Sequence, residues 1–433
     1  MSSFRPASSP QVAMPEPAAS PEHPRFEPRS PVGRFLARQL IRYLQDVPVL
    51  IELPDGTRAT TSTAPPVATV TVKDFRILPR LLLNPGLVFG QAFEAGRVEV
   101  RGDLVGFLEA VYRRQNSRRR PGTRYQGAAD QGTASLRAAR RNIQHHYDLG
   151  NDFFRLWLDP ELLYTCAYYP SPDDDLDAAQ VAKMELVCRK LRLKPGERVV
   201  EAGCGWGSLA LHMARRYGVT VSAYNISTEQ VRYARERAVR EGLDGRVEFV
   251  DDDYRRIRGT FDVFVSVGML EHVGLANYTT LGEVIHKSLP AGSGRGLIHF
   301  IGRNRPEPLD AWIRARIFPG AYPPALSEMV QGVLEPWDFS VVDVENLRLH
   351  YARTLGHWLA RFDAAASRVA ALFDERFVRA WRLYLAGSQA AFLAGSLQLF
   401  QVVFARGSDN RVPWTRGAHA VPPAAPETRD GAA

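Results

Sequence analysis

Short apolar runs alternate with longer amphipathic ones through the middle and C-terminal part of the chain. ERVVEAG (197–203), VTVSAYN (219–225), RVEFVDD (246–252), FDVFVSVG (261–268) and RGLIHFIG (295–302) are brief, apolar and rich in β-branched and aromatic residues, so each predicts a strand. Between them, LALHMARRYG (209–218) and EQVRYARERAVREG (229–242) carry apolar residues at helical spacing. Strands alternating with helices imply an α/β fold, a parallel sheet covered on both faces. FSVVDVENL (339–347), a helical stretch and the strand-like LQLFQVVFARG (397–407) complete a unit expected to span 141–407.

The pattern before this unit is different. GRFLARQLIRYLQDV (33–47) has helical period, with Arg34, Arg38 and Arg42 on one stripe and Leu36, Leu40, Tyr43 and Leu44 mainly on the other side. Two readings fit it: a surface helix packed on its own domain, or a helix lying on an anionic membrane. VLIELPDGTRATT (49–61) contains the Asp-Gly hairpin signal, and VATVTVKD (67–74) and GRVEVRG (96–102) read as further strands. Asp103 is placed to cap the helix DLVGFLEAVYRRQ (103–115). Residues 32–115 are therefore expected to form a small α+β domain. The arginine-dense, aperiodic text of 116–140 reads as a basic linker, and 1–31 and 408–433, rich in Pro, Ser and Ala, read as a disordered lead and tail.

Charge and composition narrow the partners. The net charge of +8 permits an anionic partner, either nucleic acid or a phospholipid surface. The linker lacks aromatic interleaving and no helix-turn-helix pattern is present, so no specific nucleic acid is expected. A second copy of the chain is an allowed partner. The first 26 residues lack the apolar core of a signal peptide. The longest near-apolar run, 390–405, is interrupted by Ser396, Gln398 and Gln401 and is too short to span a bilayer. The chain therefore reads as soluble or peripheral, and the expected location is cytoplasmic, peripherally associated with the inner face of the membrane. The three cysteines, Cys166, Cys188 and Cys204, have no framework or metal-ligand spacing, so free thiols and no metal are expected.

Candidate chemistry begins at VVEAGCGWGSLALHMARR (199–216), a strand, a turn with Gly203, Gly205 and Gly207, and a helix. Such glycines let the backbone turn sharply and approach a ligand. The pattern alone would also suit a dinucleotide. Glu201, at the strand tip, points elsewhere, because a carboxylate there repels a pyrophosphate and attracts a cation. S-adenosylmethionine, carrying an ammonium and a sulfonium, matches. After the second strand, Asn225, Ser227 and Gln230 are available for ribose hydroxyls, and after the third, Asp252 and Asp253 are available for the adenine amino group; a run of acids is otherwise a solvated loop.

The segments HHYDLGNDFFRLWLDPELLYTCAYY (145–169), EAGCGWGSLALHMARRYGVTVSAYNISTEQ (201–230), FDVFVSVGMLEHVG (261–274), IHFIGR (298–303), IFPGAYPPALSE (317–328) and HYARTLGHWLARF (350–362) together resemble the cyclopropane-fatty-acyl-phospholipid synthase family, which includes the mycolic acid cyclopropane synthases. The N-terminal part resembles, more loosely, the smaller domain of its longer members. The resemblance implies a class I methyltransferase (Rossmann-like) sheet with an antiparallel last strand and S-adenosylmethionine as cofactor. It implies as substrate the double bond of an unsaturated acyl chain in a membrane phospholipid, and a bound bicarbonate that removes a proton before a cyclopropane ring closes. By position, the bicarbonate cradle falls on Cys166, Glu271, His299, Ile301 and Tyr351. Cofactor contacts fall on Tyr164, Thr165, the turn Gly203, Cys204, Gly205, Trp206 and Gly207, and on Asn225, Ile226, Gln230, Asp252 and Asp253.

The residues agree with that chemistry. Positive charge on carbon in a dry cavity needs negative potential that is not itself alkylated, and aromatic faces supply it, at about 2 kcal/mol when desolvated. Cys166, set among tyrosines in LLYTCAYYP (162–170), then lines an anion pocket; a buried apolar filler is the alternative. His272, His145 and His146 read as packing or capping residues, and Cys188 as core. The chain departs from the family at Ser388, where a cysteine is common, at Leu393, where an arginine is usual, at Ser208, where a glycine is common, and in GQAFEAGRVEV (90–100), where glutamate and tyrosine are usual. The other readings are a methyl-branched or methylene product from the same cation, a methyltransferase for a soluble acceptor, and a lipid-binding protein without catalysis.

Overall fold

The computed structural model describes residues 26–118 and 149–419. Most of the expected lead (1–25), the linker from 119, His145 and His146, and the tail from 420 lie outside the described residues.

The N-terminal unit is a five-stranded sheet in the order β1-β3-β2-β4-β5, formed by Phe26–Glu27, Val49–Glu52, Arg58–Thr60, Ala68–Val72 and Val98–Gly102 as β1 to β5. The hairpin β2–β3 turns at Asp55-Gly56, where Gly56 has φ of +82°. Asp55 accepts from the Thr57 amide at 3.0 Å and from the Ser30 hydroxyl, which in turn accepts from the Gly33 amide at 2.9 Å and so caps the helix Pro31–Tyr43. One hydroxyl thus ties turn to helix. It also corrects the expected boundary at 31, since residues 26–30 belong to the domain and β1 pairs with β3.

The helix Pro31–Tyr43 buries Gly33, Ala37 and Leu40 against its own sheet. Its outer face carries Arg34, Arg38 and Arg42 together with Val32 and Phe35, which are 58% and 61% exposed. Two helices not anticipated from the sequence, Leu78–Leu83 and Pro85–Glu94, fill the gap between β4 and β5. Each opens on a proline in its first turn, where the missing N–H costs nothing. The second has no polar stripe because it lies between the N-terminal sheet and the helices Ala311–Arg316 and Glu375–Leu393 of the larger unit. Gly90 lies so close to Trp312 that a Cβ would strike the indole. Glu94, buried, receives Arg376 at 2.8 Å and Arg316 at 3.2 Å, while Arg379 donates to its carbonyl at 2.9 Å.

The larger unit is a seven-stranded sheet in the order β11-β12-β10-β9-β6-β7-β8, formed by Arg198–Ala202, Thr220–Asn225, Val247–Asp251, Val263–Val267, Arg295–Gly302, Phe339–Asn346 and Gln398–Arg406 as β6 to β12. β8, β7, β6, β9 and β10 run parallel, and β12 enters antiparallel between β10 and β11. Helices cover both faces. All nine residues of β12 are buried, which is why its sequence shows no alternation. The stretch from 408 was expected to be loose, but 408–419 packs back: Arg411 donates to the Ser293 carbonyl at 2.8 Å and Arg416 pairs with Asp343 at 2.5 Å. No helix among the described residues is long and apolar enough to cross a membrane.

Candidate active site

At the C-terminal ends of the parallel strands two cavities lie side by side, as ligand sites of open α/β sheets do. The first, of about 140 Å³, is lined by Glu201, the turn after β6, Asn225, Ile226 and Gln230 after β7, and Asp252 and Asp253 after β8. The turn has φ of +84°, +53° and +87° at Gly203, Gly205 and Gly207. Side chains are also excluded sterically: a Cβ at Gly203 would meet Met269, and one at Gly207 would meet Phe249 and Ala234. Gly205 faces open space. Of the thirteen residues expected at the cofactor, Tyr164, Thr165, Glu201, Gly203, Cys204, Gly205, Trp206, Asn225, Ile226, Gln230, Asp252 and Asp253 line this cavity, whereas Gly207 is taken up by helix packing.

The electrostatics of this cavity hinge on a residue the sequence reading missed. Lys183, from the helix Leu176–Leu191, is buried, donates to the Thr165 hydroxyl at 2.8 Å and lines the cavity. Burial lowers its pKa to about 8, against the opposing pull of Asp159, Cys166 and Glu201. Burial raises Asp159 to about 6 and Glu201 to about 8, with Lys183 resisting both shifts. Two buried carboxyls therefore feel the field of one buried ammonium, and Glu201 Oε2 is left without a hydrogen-bond partner. A further cation beside Glu201 would favour its ionised form. Lys183 escaped notice because a lysine in an apolar helix reads as a snorkelling surface residue.

Asn225 donates to Gln230 Oε1 at 2.8 Å and to the Gly205 carbonyl at 3.2 Å. Arg255 grips both oxygens of Asp253 at 2.7 and 3.0 Å, leaving Asp252 as the acid better able to accept from a ligand. Trp206 donates to Asn151 Oδ1 at 2.7 Å and stacks edge-on with Phe154.

The second cavity, of about 100 Å³, is lined by all five residues expected at the reacting centre, Cys166, Glu271, His299, Ile301 and Tyr351. Its other walls include Phe318, Tyr384, Phe392, Leu397 and Leu399, so it is largely apolar and aromatic. Tyr164, Thr165, Gly268 and His272 line both cavities and form their common wall. Tyr164 and Tyr384 share a hydrogen bond of 2.6 Å between hydroxyls, and Tyr351 packs on Phe392 at 4.7 Å between centroids.

Polar atoms in this apolar chamber are few. Glu271 Oε1 accepts from the Ile301 amide, so that residue's N–H is engaged by protein; Oε2 is buried without a partner. Burial raises Glu271 to about 7. His299 Nδ1 lies 3.0 Å from Gln401 Nε2, and its Nε2 is also buried without a partner. Burial, with Lys183 and Lys190 nearby, holds His299 well below the ordinary histidine range. Cys166 is fully buried, donates to the Ala167 carbonyl at 3.1 Å and is kept a thiol by burial. His272, with Phe318 5.8 Å away, is driven by burial to about 4. Ser388 lines the cavity, and Ser208 is used structurally, accepting from Arg237 at 2.7 Å.

Comparison with known proteins decides the family. Residues 134–402 match the family described as mycolic acid cyclopropane synthetase. The chain belongs to that family. Its sheet and covering helices are the class I S-adenosylmethionine-dependent methyltransferase fold, and the protein is an enzyme of that methyltransferase class. Residues 36–121 match a family described as a domain of unknown function. The cyclopropane-fatty-acyl-phospholipid synthase of Escherichia coli is 44% identical over 268 residues, 62% of this chain and 68% of that one. A tuberculostearic acid methyltransferase of Mycobacterium tuberculosis is 33% identical over 398 residues, 86% of this chain and 92% of that one. The crystal structure of a mycolic acid cyclopropane synthase complexed with SAH and CTAB superposes with a TM-score of 0.58 at 30% identity, covering 61% of this chain and 97% of that one.

Proposed function

We propose that the protein transfers a one-carbon unit from S-adenosylmethionine to the double bond of an unsaturated acyl chain in a membrane phospholipid, yielding a cyclopropane acyl chain, with bicarbonate as the proton acceptor. One observation carries this reading: a polar cavity with an orphaned carboxyl oxygen and a largely apolar, aromatic cavity share the wall Tyr164–Thr165 and Gly268. The first cavity fits a cationic nucleoside, because Glu201 Oε2 is an orphaned buried acceptor. The second fits a small hydroxylated oxyanion, because Glu271 Oε2 and His299 Nε2 are orphaned in an otherwise apolar chamber. S-adenosylmethionine supplies an electrophilic methyl group there, and bicarbonate a base.

The chain's own residues do the rest. Glu201 holds the cofactor's ammonium, Asn225 and Gln230 lie at the ribose, and Asp252 accepts from the adenine amino group. Tyr164, Phe318, Tyr351, Tyr384 and Phe392 exclude water and turn π faces toward the positive charge that develops on the acyl carbon. Glu271 orients the anion through its hydroxyl, and His299 donates to it. Cys166 lines the anion cradle as a thiol, because burial keeps it from becoming a thiolate that the sulfonium would methylate. Substrate delivery falls to the outer face of the helix Pro31–Tyr43, where Arg34, Arg38 and Arg42 flank exposed Val32 and Phe35; this suits peripheral attachment to an anionic leaflet.

The test is to incubate the protein with methyl-labelled cofactor and unsaturated phospholipid vesicles, with and without bicarbonate, and weigh the acyl chains. A bicarbonate-dependent gain of one CH₂ that resists hydrogenation supports the ring. Label confined to soluble acceptors overturns the lipid reading. A second product is favoured by the similarity over most of both chains to the tuberculostearic acid methyltransferase: a hydrogenatable gain of one CH₂ identifies a methylene chain or a methyl-branched alkene formed by proton loss from the same cation.

A further inference from the structure

The antiparallel strand β12 does more than close the sheet. Its Gln401 lies directly opposite His299 on β10 and opposite Glu345 on β11, so three polar side chains stand in one row across three strands of a buried sheet. Residues paired in this way project to the same face. Lys190, at the end of the helix Leu176–Leu191, comes down on that row. It is buried, donates to Glu345 Oε2 at 2.5 Å and to Gln401 Oε1 at 2.7 Å, and has Asp343 at 3.9 Å. Gln401 is fully buried, and its Nε2 is 3.0 Å from His299 Nδ1.

The donor inventory along this chain allows one arrangement. An ammonium only donates, so Gln401 must present its oxygen to Lys190; the flipped amide would set two donors against each other. The amide nitrogen therefore faces His299, and it too only donates, so Nδ1 must accept and carries no proton. An imidazolium would place a second N–H against the amide. The proton of the neutral ring must then sit on Nε2, the atom that is buried without a protein partner beside the acyl cavity.

We propose that Lys190, acting through Gln401, fixes His299 as its Nε2–H tautomer and so aims a hydrogen-bond donor into the reaction cavity. Lys190 and Gln401 are positioning residues; neither lines the cavity. The ligand at this point must offer an acceptor to His299, while Glu271 Oε2 asks for a group it can accept from. An oxyanion bearing a hydroxyl satisfies both. This catalytic consequence rests on the function proposed above, whereas the tautomer does not.

The experiment uses full-length protein carrying ¹⁵N-labelled histidine, with two-bond ¹⁵N–¹H correlation spectra at neutral pH and the His299 signals assigned by their loss in His299→Asn. The wild type should show a protonated, pyrrole-type Nε2 and a bare Nδ1. In Gln401→Glu the carboxylate can accept from both Lys190 and the ring, so the proton should move to Nδ1. Lys190→Met leaves the amide free to turn and should give a mixture of tautomers. Cofactor affinity should stay unchanged in both variants while acyl methylation falls about 100-fold in Gln401→Glu and about 10-fold in Lys190→Met. If Lys190→Met does not fold, the wild-type and Gln401→Glu spectra decide alone. A wild-type ring protonated at Nδ1, or a tautomer indifferent to Gln401→Glu, overturns the proposal. Absence of lipid methylation in every protein would instead overturn the proposed function and leave the spectra to judge the relay.

Discussion

Replacing Glu201 with glutamine should make the cofactor-free protein more stable and the cofactor site worse. Glu201 is 2% exposed, its Oε2 has no partner, and burial lifts its pKa from 4.5 to about 8. Because the folded-state value is the higher one, folding is favoured most below pH 4.5, and that advantage drains away as pH rises towards 8. At one pKa unit per 1.36 kcal/mol, the loss relative to acid pH is about 3 kcal/mol by pH 7 and about 4 kcal/mol by pH 8. Glutamine keeps the shape and does not titrate. Glu201→Gln should therefore match the wild type at pH 5 and exceed it at pH 8, by about 10 °C in Tm for a unit of this size. Cofactor affinity should move the other way. A ligand ammonium at Glu201 completes the charge balance with Lys183 and Asp159, so its loss should weaken S-adenosylmethionine binding by about 100-fold, roughly 3 kcal/mol. Wild-type binding at pH 7 should also release a proton, because the carboxyl must ionise to meet the cation. Scanning calorimetry at the two pH values and titration calorimetry in buffers of different ionisation enthalpy measure all three effects. A variant less stable than wild type at pH 8, or binding without proton release, would refute the reasoning.

Glu271→Gln alters the acyl cavity and not the cofactor cavity, so S-adenosylmethionine affinity should hold while turnover drops by about 10²–10⁴, as expected when a positioned acid–base group is lost; unchanged turnover removes Glu271 from the mechanism. Glu94→Gln leaves Arg316 and Arg376 without their shared carboxylate; since both arginines reach water, the cost should be near the low end for a broken buried pair, about 2–3 kcal/mol. Urea unfolding and faster proteolysis between the two units would register it. Arg34→Glu/Arg38→Glu/Arg42→Glu should cut binding to vesicles containing phosphatidylglycerol by about 100-fold or more, at about 1 kcal/mol per basic residue, without altering the melting temperature. Undiminished vesicle binding would show that the membrane meets another face.

Much of the architecture is written locally. The five parallel strands, the glycine turn and the Asp55-Gly56 hairpin declare themselves because burial on both faces, positive φ and tight turns each demand particular residue types at fixed spacing. The helices Leu78–Leu83 and Pro85–Glu94 do not, because a helix enclosed on two sides loses the polar stripe by which helices are recognised. The residues expected at the two cavities were legible by type and by resemblance. What they would meet there was not: Lys183 and Lys190 look like ordinary helix lysines until the fold buries them, and Gln401 looks like an interruption in an apolar run.

The sequence by itself determined the strand–helix order, the glycine turn after the first strand of the larger sheet and the acids around it, since each follows from contacts between near neighbours. Only the tertiary structure decided the charge balance at Glu201 and the proton position on His299. Both depend on which buried groups from distant segments are brought within hydrogen-bonding reach, and in a low-dielectric interior those few partners outweigh any intrinsic preference of the residue.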